Sequence, residues 1–120
     1  MRIYIAHPYT GDEERNRERA LKAEEMLRKA TPHARFFNPV GRLSEQYEAL
    51  SYVEVMTRCL EALAECDGIV LCGAWETSPG CRIEMNMARR LQKTLWFGVD
   101  SYTQGWARVA EVAREEEALE

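Results

Sequence analysis

The chain has 120 residues, 46% of them apolar, which is enough to bury one core and too little for two. Its formal net charge of −4 argues against the clustered positive surface that a long polynucleotide needs, while a small anionic ligand stays compatible because a few local donors hold a phosphate whatever the overall charge. With neither a signal-peptide pattern nor an apolar run of membrane length, the expectation is a cytoplasmic protein, one domain over residues 1–120, with no membrane partner.

Arg2-Ile3-Tyr4-Ile5-Ala6 is β-branched and aromatic, and it stops at His7-Pro8-Tyr9-Thr10-Gly11, whose Pro and Gly mark a loop. Residues 12–30 are rich in Glu, Arg, Ala and Leu and place Asn16, Ala20, Ala23, Leu27 and Ala30 on one face, the pattern of an amphipathic helix lying on a sheet. Pro32 ends that helix, Ala34-Arg35-Phe36-Phe37 forms a short second strand, and Asn38-Pro39 breaks it. Residues 40–50 carry mixed signals that predict a loop with a short helix, expected to be mobile. From Tyr52 to Leu63, Val53, Met56, Leu60 and Leu63 recur at helical spacing. Cys66-Asp67-Gly68 then turns the chain into Ile69-Val70-Leu71-Cys72, a charge-free run that fits a central parallel strand buried on both faces. A loop over 73–79 leads into a helix over 78–91, Thr94-Leu95-Trp96-Phe97 gives a fourth strand, and 104–120 gives a last helix with a frayed acidic end.

Strands alternating with helices at this spacing imply an α/β fold: an open parallel sheet of four or five strands with helices on both faces, a flavodoxin-like or Rossmann-like three-layer sandwich. In such sheets the ligand crevice lies beyond the carboxyl ends of the strands. Those ends are here His7–Gly11, Asn38-Pro39, Gly73–Ser78 and Gly98–Tyr102.

Within the 78–91 helix, Ser78 reads as the N-cap and Pro79 as the first helical residue. Counting by threes and fours, Glu84 shares a side with Gly80, Met87, Ala88 and Leu91. A carboxylate on that apolar side is aimed inward, where it finds a partner or accepts a raised pKa; structural ion pairs and catalytic acids both give this pattern. Tyr4 alternates onto the same face of the first strand as Ala6, so a neighbouring third strand would bring its hydroxyl to Glu84; solvent or backbone is the alternative partner. Gly80 opens helix backbone to a ligand, and Ser78 sets a hydroxyl beside unpaired amides, a pairing that suits an anion or a ribose hydroxyl as well as ordinary capping. Trp75 is placed to stack on a nucleobase, to act as an apolar lid, or to meet another subunit. His7, Asn16 and Arg58 complete the candidates, each with a solvated or surface role as the alternative.

The four cysteines, Cys59, Cys66, Cys72 and Cys81, form no C-x-x-C pair and have no histidine at zinc spacing, so reduced, buried thiols are expected and no metal.

Ile3-Tyr4-Ile5-Ala6-x-Pro8, then Cys66-Asp67-Gly68-Ile69-Val70, then Gly73-x-Trp75-x-x-Ser78-x-Gly80-x-x-x-Glu84-x-x-x-Ala88 resembles the nucleoside 2-deoxyribosyltransferase superfamily over roughly residues 1–100. The likeness runs towards its small bacterial and phage branch, which is similar to the 2'-deoxynucleoside 5'-monophosphate N-glycosidases. The resemblance implies Glu84 as the nucleophile on C1' of a deoxyribosyl group, Tyr4 as the hydroxyl that positions it, and no metal or organic cofactor. Serine six residues before the glutamate is similar to the nucleotide hydrolases and points to a 5'-phosphorylated substrate. Asp67 matches an aspartate that is structural in the family. Two positions depart from the pattern: Arg58-Cys59-Leu60 stands where the family has Arg-Asp-Leu, and His7-Pro8-Tyr9-Thr10 lacks the family's Gly, Ser and Arg for phosphate.

The leading expectation is therefore N-glycosidic cleavage or deoxyribosyl transfer on a nucleotide or nucleoside. A catalytically inactive nucleotide-binding module is the alternative, and an oligomeric scaffold built on exposed Trp75, Tyr102 and Trp106 is the third. Relatives of this fold build the crevice from two subunits, so a homodimer or higher oligomer is expected.

Overall fold

A computed structural model describes residues 1–119; Glu120, the end of the expected last helix, lies outside the described residues. Strand β1 (Arg2–Ala6) is followed by helix α1 (Glu13–Ala30), β2 (Arg35–Phe37), a π-helical turn (Pro39–Leu43), α2 (Ser44–Tyr47) and α3 (Tyr52–Ala64). Then come β3 (Gly68–Leu71), a 3-10 turn (Trp75–Thr77), α4 (Pro79–Arg90), β4 (Thr94–Phe97) and α5 (Val99–Leu119). The sheet has four strands in the order β2-β1-β3-β4, every pair parallel. The expected α/β class, the parallel sheet and the helices on both faces are all present.

Alternation along β1 and β3 divides the core. Ile3, Ile5 and Val70 face Ala23 and Leu27 of α1 and Tyr102 of α5. Tyr4, Ala6, Ile69 and Leu71 face Cys59 and Leu63 of α3 and Cys81 and Ala88 of α4. Both faces of β3 are covered, which accounts for its charge-free sequence. Asp67 fixes where the central strands start, its Oδ2 accepting from the Arg2 amide at 2.7 Å. No helix among the described residues is long and apolar enough to cross a membrane.

The helix faces differ from the sequence reading in detail. In α3 the buried residues are Cys59 and Leu63, while Val53 is 71% exposed, because the helix overhangs the sheet at its N-terminal end. In α4 the buried side is Cys81, Glu84 and Ala88, and Leu91 is exposed beyond the last turn. Helix α5 begins at Val99, directly after Gly98, so the expected loop over 98–102 is already helical. The exposure expected of Tyr102 is corrected by burial: Tyr102 is fully buried with its ring 4.8 Å from that of Trp96, while Trp106 and Trp75 are half-buried against the two halves of the core.

The 38–47 segment is anchored by a charge that the sequence hides. Glu24 lies on a helix crowded with surface charges, yet it is buried, accepting from Arg42, Arg28 and Asn38. Asn38 Nδ2 also donates to the Ala20 carbonyl at 3.0 Å, and its Oδ1 accepts from the Gly41 amide at 3.1 Å. A Cβ at Gly41 would sit 2.6 Å from Asn38 Nδ2, so glycine is what lets the turn fold over that side chain. The three hydrogen-bonding partners hold the Glu24 carboxyl down at about 2 against the opposing cost of burial.

Candidate active site

The connection after β2 passes over β1 to reach β3, so the strand order reverses between β1 and β3, where open α/β sheets bind ligands. A cavity of about 780 Å³ opens there, running from Ala6–Thr10 after β1 to Thr77–Cys81 at the start of α4 and walled by Pro39–Tyr47 and by α3. Glu84 is at its floor.

Glu84 projects from the second turn of α4 towards β1 and is 7% exposed. Because β1 and β3 are neighbours, Tyr4 reaches it, and the phenol donates a hydrogen bond to Oε2 in the interior. Burial pushes the Glu84 carboxyl up to about 7, with the Tyr4 hydrogen bond opposing that rise. The same burial and the adjacent carboxylate raise the Tyr4 phenol well above its ordinary value, so it stays a donor. Cys59 lies beside the Tyr4 hydroxyl, and burial holds its thiol at about 11. Cys81, pushed up to about 12, is likewise a protonated thiol.

Ser78 caps α4 as its sequence indicates, Oγ accepting from the Cys81 amide at 3.2 Å. It lines the cavity together with Gly80, whose missing Cβ would have met Met56 Sδ only at 3.6 Å, ordinary contact distance. Nothing in the protein requires glycine there; the space belongs to the cavity. His7 also lines it and is buried, with Nδ1 donating to the Pro8 carbonyl at 2.8 Å and its pKa held below the ordinary value by burial. Gly73, at φ +60, leaves room for that imidazole, since a Cβ would lie 3.0 Å from Nε2.

Four candidates lie outside the lining: Tyr4, which reaches the site only through Glu84, and Trp75, Asn16 and Arg58. Trp75 packs instead beside Phe97, their ring centroids 5.6 Å apart, half-buried against the core and outside the cavity wall. Asn16 donates from Nδ2 to the Tyr9 carbonyl at 3.0 Å and pins the first loop without facing the cavity. Arg58 is exposed on the outer side of α3, one residue from the inward Cys59. The sequence reading missed Tyr47, Glu48 and Tyr52, which contribute phenols and a second carboxylate to the lining. Tyr52 is masked by its exposed place in the first turn of α3, and the other two by the mixed signals of their segment. The lining contains no Lys or Arg; its charged side chains are Glu48 and Glu84. Among the described residues no group of three or more His, Cys, Asp or Glu is placed to hold a metal ion.

No curated protein matches the sequence. Among solved structures, the chain is similar to a 2-desoxiribosyltransferase from Leishmania mexicana, with 22% identity, a TM-score of 0.60, and 81% of this chain covered. The chain spans 63% of that protein's length, and at this identity the likeness establishes the fold. A family model described as a domain of unknown function matches residues 1–97 and so takes in the whole sheet, the cavity and Glu84, and on that match the chain belongs to the DUF4406 family.

Proposed function

We propose that this protein cleaves, or transfers, the N-glycosidic bond of a nucleoside or nucleotide, with Glu84 as nucleophile and Tyr4 as the group that orients it. The observation that carries the reading is a buried carboxylate, hydrogen-bonded by a phenol, at the floor of a large cavity at the switch point of a parallel sheet. Breaking an N-glycosidic bond develops positive charge on the sugar ring, and a carboxylate beside C1' stabilises that charge and collapses onto it as an ester. The C1'–N bond breaks with its electron pair leaving on the base, which takes up a proton; water, or a second base, then attacks C1' and frees Glu84. Neutral His7 and the Cys59 thiol at about 11 are poor acids at neutral pH, so the reading assigns that proton to water. The likeness to a protein titled a 2-desoxiribosyltransferase supports the assignment.

The lining bears on the 5' group. Serine at position 78 suggests a phosphate, but a dianion in a cavity with two carboxylates and no cation meets repulsion without compensation. The substrate proposed here is therefore the unphosphorylated nucleoside. Incubation with a panel of deoxynucleosides and their monophosphates, followed by chromatography for free base, tests it: base is released from a nucleoside by the native protein and not by Glu84→Gln. Absence of release from every compound at high protein concentration overturns the enzymatic reading.

Cys59 favours a second reading, ligand binding without turnover, since the resemblance places an acid at that position and a thiol stands there. Nucleoside binding in calorimetry that is equally tight in Glu84→Gln, with no base released, selects it.

A further inference from the structure

A second depression, of about 500 Å³, opens at the same edge of the sheet but on the opposite face, between α1 and the start of α5. Its character is the reverse of the Glu84 cavity. Arg15, Arg19 and Lys22, spaced by four and three along α1, line it against one carboxylate, Glu18. Arg19 and Lys22 make no ion pair among the described residues, and Arg15 has only an exposed one with Asp12 at 3.9 Å.

A buried polar group completes it. His7 is 7% exposed and lines both cavities. Its Nδ1 is committed to the Pro8 carbonyl, which leaves Nε2 as the free nitrogen. That nitrogen points at Gly73, on the far side of the ring from Pro8 and in the wall of the second depression. Arg19 stands close enough for its charge to act on the imidazole. A guanidinium and an imidazole nitrogen thus face one space in which Glu18 is the one carboxylate and is paired with neither Arg19 nor Lys22, and an anion that enters meets a bidentate donor, an ammonium and an N–H from His7 once it is protonated.

We propose that this depression is a binding site for a phosphate-bearing small molecule, held by Arg19, Lys22 and His7 and separate from the cavity of Glu84. Inorganic phosphate and phosphate monoesters share the chemistry that the site recognises. The imidazole of His7 forms the common wall of the two cavities.

The chain contains only two histidines, His7 and His33, and the second is exposed away from both cavities, so proton NMR reads the site directly. Titration with inorganic phosphate moves the His7 imidazole resonances along a saturating curve and leaves those of His33 nearly still. The double variant R19A/K22A, at exposed positions that do not support the fold, weakens that response about tenfold or more, and R19K/K22R restores most of it. Parallel titration with a deoxynucleoside 5'-monophosphate separates the sources: tighter binding than inorganic phosphate identifies an ester as ligand, equal binding identifies free phosphate, and either supports the site. In Glu84→Gln at pH 8 the phosphate affinity is unchanged. Equal movement of both histidines, a response that survives in R19A/K22A, or an affinity that rises in Glu84→Gln because the anion sits beside that carboxylate would each overturn the proposal. The outcome does not depend on whether base is released at Glu84.

Discussion

At the scale of single residues, the Glu84 carboxyl serves chemistry at a cost to the fold. Its value of about 7 lies above that of an ordinary carboxyl, so the folded state prefers the neutral form. The native protein binds more protons than the unfolded chain between the unfolded value and about 7, and stability therefore falls as pH rises through that window. Glu84→Gln removes the charge while keeping the shape. Thermal unfolding is expected to show the variant more stable than the native protein at pH 8, by on the order of 2–3 kcal/mol, with the difference vanishing near pH 5. A nucleophile must be ionised, so kcat/KM for base release rises with pH through a midpoint near 7. Tyr4→Phe, which deletes the hydrogen bond that stabilises the carboxylate, moves that midpoint upward. An unshifted midpoint would show that the phenol does not govern the carboxylate. The inward aim of Glu84 was legible in the spacing of its helix, and the approach of Tyr4 in the alternation of its strand. Cys59 beside that phenol was not legible at the level of pattern, because a small thiol carries the same signal in a core as in a site.

At the scale of elements, the wall of the cavity depends on Glu24, whose carboxylate ties α1 to the 38–47 segment through Asn38 and Arg42. Sequence reading locates α1 and its apolar face but not this residue, since Glu24 is one of five glutamates between positions 13 and 25 whose fates differ only by what packs on them. A buried charge with partners on another element is a tertiary fact that periodicity does not encode. Its carboxyl is held at about 2, so the stability it contributes is complete above the ordinary carboxyl range and is lost as pH falls towards about 2. Arg28 and Arg42 remain half-exposed, which screens the pairs. Glu24→Gln is accordingly expected to cost on the order of 2 kcal/mol at pH 7 and progressively less in acid, measured by urea unfolding. It should also raise KM for any substrate of the Glu84 cavity, because Pro39, Val40 and Ser44 move with the released turn. A cost independent of pH between 7 and 3 would mean that lost packing, and not charge, accounts for it.

At the scale of the whole molecule, the strand order and the two-sided core follow from a simple alternation of strands and helices, and this was the most legible level of all. The match to the DUF4406 model ends at residue 97, with the last strand, yet the fold does not end there. Tyr102 of α5 is fully buried, with its ring against Trp96 and its hydroxyl 2.7 Å from Thr31 Oγ1 on the end of α1. Beyond Trp106 the character of the helix changes. Residues 107–119 are exposed throughout, Val109 and Val112 included, and the molecule is drawn out to 56 Å along one axis against 29 and 23 Å on the others. These two halves of one helix predict opposite outcomes for two truncations. A chain ending at residue 108 keeps every buried contact of α5, and its melting temperature should fall by only a few degrees, corresponding to about 1 kcal/mol. A chain ending at residue 97 keeps the cover that α1 gives Ile3, Ile5 and Val70 but deletes Tyr102, Trp106 and the rest of α5 from that face, a loss that exceeds the roughly 3–5 kcal/mol of removing one large core aromatic. It should show no cooperative melting transition, because stabilities of about 5–15 kcal/mol leave little to spare once one of the two helices covering that face is removed. A folded 1–97 chain would mean that the face of β1 and β3 opposite Glu84 does not need α5, and that the buried aromatic cluster around Tyr102 adds little to holding the sheet.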